Sequence, residues 1–192
     1  FAYGHAVGLG IQLVLEGNTE EQILWKLFLA WEVDLLDENP KQAKSFALAV
    51  FAVQKFMAMK AGGFLDGYEL MEFNGKPAVE LGFRVSFPDG FKLRGFVDAV
   101  LRHRISGKVI VLEVKTSSAA NINPSTYKNS AQAIGYSVVL DVLVPSDLTD
   151  YEGYYLVYST KQNEYELITY RKTYFQRALW IRELILDIET IK

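Results

Sequence analysis

The apolar residues of this chain change period along its length. Over residues 4–61 they recur at helical spacing, from Phe64 to Lys115 they alternate between turn signals, and beyond Ser125 the two patterns interleave. The spacing predicts a first helix over residues 4–15, ending at Gly17. Its glycines (Gly4, Gly8, Gly10) weaken helix propensity and point to close packing or close backbone approach. Thr19 and Gln22 fit a capping box that opens a second helix through about residue 36, with Ile23, Leu24, Leu27, Phe28 and Trp31 on its apolar side. Asn39-Pro40 starts a third helix that runs to about residue 61 and stops at Gly62-Gly63. Pro40 takes its first helical position, and Ala43, Phe46, Ala47, Val50, Phe51 and Gln54 form its core face.

Strands are predicted near residues 68–73, 77–87, 91–104 and 108–116, separated by Asn74-Gly75, Pro88-Asp89-Gly90 and Ser106-Gly107. A polar loop then leads to a helix over residues 125–140, two strands near 154–159 and 164–170, and a last helix over residues 173–191. That last helix has Phe175, Ala178, Leu179, Arg182, Ile185 and Ile188 at helical spacing. The order is ααα-ββββ-α-ββ-α. The fold class is therefore α/β, with a central mixed sheet flanked by helices.

One strand is out of character. Val109 to Thr116 is a β-branched, apolar run, yet it holds Glu113 and Lys115 two residues apart and so on one face. Buried charges are costly unless they pair or bind a metal. The strand before it carries a lone Asp98 in equally apolar surroundings. A two-residue hairpin loop at Ser106-Gly107 sets Ile105 against Lys108, Asp98 against Lys115 and Val100 against Glu113. Two carboxylates and a lysine on one face form a plausible site for Mg²⁺ or Mn²⁺ with a cation positioned beside it. Taken alone, Glu113 and Lys115 read equally well as a structural ion pair on an edge strand.

Composition narrows the chemistry. At 192 residues and 50% hydrophobic, the chain has enough apolar material for one domain with a large core. We expect residues 1–62 to be N-terminal helices, 64–140 a catalytic core and 151–192 a C-terminal extension; the start at Phe1 fits a piece of a longer chain. A net charge of −3 removes any global basic signature, leaving room only for a local basic groove. No cysteine is present, which excludes disulfides, cysteine zinc sites and cysteine-ligated iron–sulfur clusters. With His5 and His103 the only histidines, a histidine-rich metal site is not expected. No membrane-length apolar run or signal peptide is visible, so a cytoplasmic, intracellular location is expected.

Two more features line up with the charged hairpin. Glu80 lies inside the apolar strand Val79-Glu80-Leu81-Gly82-Phe83. Gln132 and Tyr136 stand at i and i+4 on the helix that follows the Glu-x-Lys strand. The series Glu80, Gly95-Phe96-Val97-Asp98, Glu113-Val114-Lys115-Thr116 and Gln132-x-x-x-Tyr136 resembles the PD-(D/E)XK nuclease superfamily, in particular its RecB-like branch and phage-type exonucleases. The resemblance covers the stretch from Glu80 to Tyr136.

It implies that Asp98, Glu113 and the carbonyl of Val114 hold Mg²⁺ or Mn²⁺, with Glu80 completing the metal shell. It implies that Lys115 orients the attacking water or stabilises charge on the phosphate, and that Gln132 and Tyr136 position the metal-site residues and the DNA backbone. Many RecB-like members place a histidine ligand in the first helix, at the position that Gly8 occupies here. His5 lies three residues earlier, and we expect a site built without histidine. The absence of cysteine leaves no iron–sulfur cluster and moves the chain toward cluster-free phage or bacterial exonucleases.

The implied activity is metal-dependent hydrolysis of DNA phosphodiester bonds by an exonuclease of recombination, repair or phage DNA processing. The implied partners are DNA and a recombination protein or a second copy of the chain. An endonuclease or flap-type nuclease on the same site, an inert DNA-binding module of the same fold, and an interaction subunit remain open. Arg102 and Arg104 beside His103, and Ser125, Thr126, Tyr127 and Lys128 at the start of the Gln132 helix, are further candidate phosphate contacts. The aromatic tail from Tyr151 to Tyr174 is either base-stacking or core.

Overall fold

The computed structural model describes residues 2–31, 44–87, 90–144 and 150–191. Three helices, α1 (Ala2–Leu15), α2 (Glu20–Ala30) and α3 (Phe46–Ala61), precede six strands: β1 (Tyr68–Leu70), β2 (Glu72–Phe73), β3 (Lys76–Pro77), β4 (Val79–Ser86), β5 (Lys92–His103) and β6 (Val109–Ser117). Then come α4 (Pro124–Lys128), α5 (Ala131–Leu143), β7 (Asp150–Ser159), β8 (Glu164–Thr173) and α6 (Tyr174–Ile191). The main sheet runs β1-β5-β6-β7-β8, with β4 also paired to β5; β6 and β7 are parallel and the other neighbours antiparallel. The fold is the expected α/β arrangement, a mixed central sheet between helical layers.

Alternate residues of β5 and β6 feed the two layers. Ala99, Leu101, Ile110 and Leu112 pack with α1, α2 and α3, while Val100, Val109 and Val111 pack with Tyr136, Val139 and Leu140 of α5. Gly10 shows why α1 tolerates its glycines: a Cβ there would stand 2.3 Å from a methyl of Val53 on α3. The α2 capping box forms as expected, with the Gln22 amide donating to Thr19 Oγ1 and the Thr19 amide to Gln22 Oε1. The end expected at residue 36, and the Asn39-Pro40 start of α3 with Ala43, lie outside the described residues; among those described, α3 is capped by Ser45 and begins at Phe46.

Several expectations need correction. On α3 the buried residues are Ala49, Ala52, Val53 and Phe56, while Ala47, Phe51 and Gln54 are exposed. The helix is apolar nearly all round, so spacing alone selects no face, and docking against Gly10 does. On α6, Ile188 is buried as its spacing suggests, but Phe175, Ala178, Leu179 and Arg182 are exposed and Arg177 is buried instead. Arg177 lies 4.7 Å from the centre of the Tyr151 ring and donates to the Lys172 carbonyl, which draws its side of the helix inward.

The helix expected over residues 125–140 is two helices, broken at Asn129-Ser130. Ser130 caps α5 by accepting from the Ala133 amide, a role its type prefers to a helix interior. The strands expected near 68–73 and 77–87 are each split. A small β2–β3 hairpin forms around Asn74 and Gly75, both at positive φ.

The β5–β6 hairpin closes two residues earlier than expected. The His103 amide donates to Lys108 and the Gly107 amide to His103, leaving a four-residue loop, Arg104 to Gly107. Val100 therefore pairs with Val111 rather than Glu113. The shift is even, so every side chain keeps its expected face.

Candidate active site

β5 and β6 part beyond the pair Ala99–Leu112. One residue further on, the Val114 amide donates to Asp98 Oδ2 at 2.8 Å, so a side chain takes over where the backbone ladder stops. Beyond this point β6 continues along β7 alone, and side chains replace the backbone ladder between β5 and β6. Asp98, Glu113 and Lys115 converge there.

Glu113 is 3% exposed. Its Oε1 accepts from Lys115 Nζ at 2.6 Å and from Gln132 Nε2 at 2.7 Å, while its Oε2 is buried without a hydrogen-bond partner among the described residues. The second amide hydrogen of Gln132 goes to Tyr136 Oη at 2.6 Å, and Tyr136 donates to the Phe96 carbonyl at 2.7 Å. The i, i+4 spacing of Gln132 and Tyr136 on α5 thus clamps β6 to β5 through one chain of bonds. Burial raises the Tyr136 hydroxyl above its ordinary range, with the Glu113 charge adding to it, so Tyr136 stays a neutral donor.

Asp98 is strongly perturbed. Burial first, then the neighbouring Glu113 carboxylate, push it up to about 7; the Val114 amide and Lys115 oppose this, and Glu80 adds to it. Crowded carboxylates with one buried oxygen left unpartnered are the signature of a place for a cation. The oxygen donor set suits a hard divalent ion.

Glu80 falls between the pairs Val79–Ala99 and Leu81–Val97, at the position across from Asp98. It has a φ of 44°, in the left-handed region that a non-glycine residue adopts at a cost of about 1 kcal/mol or more. Its Oε1 accepts from Gln12 Nε2 at 2.7 Å, and Gln12 is itself buried on α1. Glu80 is thus held from the α1 layer, whereas Glu113 is held by Gln132 from the α5 layer. Among the described residues, accordingly, no group of three or more His, Asp or Glu is arranged to hold one metal ion. Asp98 and Glu113 are the two carboxyl groups brought close enough to interact.

Gln12 was not foreseen. It shares a helical face with Gly4, Gly8 and His5, and a polar residue amid Gly10-Ile11 and Leu13-Val14 was the available signal. Along that face a Cβ on Gly4 would lie 3.2 Å from Thr116 Oγ1, and one on Gly8 would meet nothing within 4 Å. His5 is exposed and makes no described contact with the site.

The remaining candidates lie elsewhere. Arg102 and Arg104 are four and six residues along the chain from Asp98, at the loop end of the hairpin, where Arg104 pairs with Glu69. His103 packs on the Tyr68 ring, and its Nδ1 accepts from the Ser106 amide within the turn. Ser125, Thr126, Tyr127 and Lys128 belong to α4 and do not open the Gln132 helix. Tyr151, Tyr155, Tyr158 and Tyr170 are buried core, whereas Tyr174 is exposed. A cleft of about 400 Å³ opens beside the start of β6, but its Lys108–Glu152 and Arg171–Asp150 charges satisfy each other.

The fold and this acidic centre define a restriction-endonuclease-like class of protein. A family model of the PD-(D/E)XK nuclease superfamily matches residues 14–191, nearly the whole chain. The chain belongs to that superfamily. No curated protein matches it. Among solved structures it is similar to the protein described as "Crystal structure of SSO0001", at 15% identity and a TM-score of 0.41, over 97% of this chain and 73% of that one. A likeness at that level carries no argument about function.

Proposed function

We propose that this chain is a metal-dependent deoxyribonuclease that hydrolyses phosphodiester bonds at the Asp98–Glu113–Lys115 centre. The observation that carries this is buried Glu113, whose Oε2 has no hydrogen-bond partner among the described residues, beside a carboxyl raised to about 7. Asp98, Glu113 and the Val114 carbonyl would hold Mg²⁺ or Mn²⁺, which supplies Lewis-acid polarisation of a phosphate and a bound water of lowered pKa. Lys115, with its side chain 37% exposed, is free to turn from Glu113 toward a phosphate oxygen and stabilise the charge that builds there. Gln132 fixes the Glu113 carboxylate, and Tyr136 holds β5 at Phe96, two residues before Asp98. Gln12 holds Glu80 as a neighbouring acceptor, available to position water or a second ion.

Exonuclease action in recombination, repair or phage DNA processing is the finer reading, supported by the Gln132-x-x-x-Tyr136 pattern of the RecB-like branch. DNA is the proposed substrate. Among the described residues no helix is long and apolar enough to cross a membrane. The test is incubation of end-labelled linear DNA, single- and double-stranded, beside closed circular DNA with Mg²⁺, Mn²⁺ or EDTA. Loss of the linear forms alone, abolished by EDTA, supports an exonuclease. Cutting of circles makes it an endonuclease, and binding without cleavage under every metal condition makes it an inert nuclease-fold module.

A further inference from the structure

The first half of β5 is paired on one side only. Residues 92–97 lie against β4 alone, because β6 joins β5 at Ala99, so β4 and β5 project from the acidic centre as a two-stranded arm. The inward row, Leu81, Phe83 and Val85, packs on the α5 cluster, with the Phe83 ring edge-on to Tyr136 at 6.3 Å. The outward row pairs Gly82 with Phe96, Arg84 with Arg94 and Ser86 with Lys92. Its next two members are Glu80 and Asp98. On both strands the residues that pack on α5 change parity at this point, from Leu81 and Val97 on the arm to Val100 in the sheet, so the ribbon is kinked where Glu80 adopts its left-handed φ.

Two features mark this outer row. Phe96 is 64% exposed, and its ring lies over the bare backbone of Gly82, where a Cβ would come within 3.2 Å of it. Arg84 stands directly across from Arg94, an arrangement that repels. Neither arginine, nor Lys92, makes an ion pair among the described residues. An aromatic face beside mutually repelling cations matches a polyanion that also carries flat apolar groups.

We infer that the outer face of the β4–β5 arm is the track along which single-stranded DNA enters the acidic centre. Phe96 stacks on a base, and Arg84, Lys92 and Arg94 contact phosphates. The pleat spaces successive outward residues by roughly 7 Å, a stride close to that between phosphates of an extended strand. The nucleotide on Phe96 is next to the one at Asp98, and Tyr136 joins the two through its bond to the Phe96 carbonyl. A single strand is favoured over a duplex because stacking requires an unpaired base. The local row also reconciles a DNA substrate with a net charge of −3. This inference rests on the nuclease reading of the site and identifies its substrate strand.

The test is fluorescence anisotropy of a labelled oligothymidylate, with and without its complement, in Ca²⁺ so that binding is read without relying on turnover. Thermal melts accompany Phe96→Ala and the double variant Arg84→Gln/Arg94→Gln; all three residues are exposed, so both variants are expected to fold. Phe96→Ala is expected to weaken single-strand binding about tenfold and duplex binding much less. The arginine double variant is expected to flatten the salt dependence by about 1.4 in log–log slope. Single-strand affinity and salt slope equal to wild type in both variants overturn the inference, as does an equal loss on the duplex from Phe96→Ala. If wild type binds through the arm yet cleaves nothing with Mg²⁺ or Mn²⁺, the arm stands and the nuclease reading fails. If it cleaves while binding ignores the arm, the reverse holds.

Discussion

At the scale of single residues, the centre is a set of groups held at a cost. Asp98 in the metal-free protein keeps a proton that the unfolded chain releases near the ordinary value of 3.8, because its folded pKa is about 7. The folded state therefore binds more protons between those values, and stability falls as pH rises through that window, then levels above about 7. Asp98→Asn removes this slope: metal-free, it melts above wild type at about pH 8 and near it at about pH 4. An ion binding to this centre displaces the proton, so divalent-ion affinity measured by calorimetry is expected to rise toward pH 7 and then flatten.

Glu80 makes a second case. Glycine relieves the strain of the 44° φ, which offsets the cost of leaving the buried Gln12 amide without its acceptor, so Glu80→Gly is expected to stay near wild-type stability while lowering DNA cleavage. A clear drop in its melting temperature would contradict this. Asp98, Glu113 and Lys115 could be picked from the sequence because each breaks a strong apolar pattern, and Gln132 and Tyr136 because their i, i+4 pair after that strand resembles the family's helix motif. Gln12 also interrupts an apolar run, but its role is not legible there, because its partner Glu80 is 68 residues away and the contact exists only once α1 is docked.

Elements were legible where the pattern was one-sided and illegible where it was not. The order of helices and strands follows from the switch between periods two and 3.6. The buried faces of α3 and α6 do not, since α3 is apolar nearly all round and α6 turns on the burial of Arg177. The β5–β6 register moved by two because the turn closes between His103 and Lys108, and only its parity was fixed by the alternation. Gly10 sets the approach of α1 to α3, so Gly10→Ala is expected to destabilise by about 1–3 kcal/mol in urea unfolding. Val53→Ala should restore part of that loss in the double variant, and simple additivity would show that the two sites do not touch. Ser130 caps α5 and also bonds Tyr155 Oη. Ser130→Ala is expected to cost about 1–2 kcal/mol and to loosen the helix that carries Gln132 and Tyr136.

For the whole molecule, the sheet gathers chemistry from three directions: α1 holds Glu80, α5 holds Glu113, and Asp98 bonds the Val114 amide where β5 and β6 part. The superfamily is shown across nearly the full chain, whereas the hydrolytic role of the centre is our proposal. Its most direct test is single-turnover cleavage of labelled linear DNA in Mg²⁺ by wild type and by Lys115→Ala, with folding checked by thermal melt and ion binding by calorimetry. Wild type is expected to cleave, and EDTA to abolish that cleavage. Lys115→Ala is expected to lose about a hundredfold or more in rate with ion binding retained. Cleavage by Lys115→Ala at the wild-type rate, or wild-type cleavage that survives EDTA, would rule out a metal-dependent hydrolytic role for this centre.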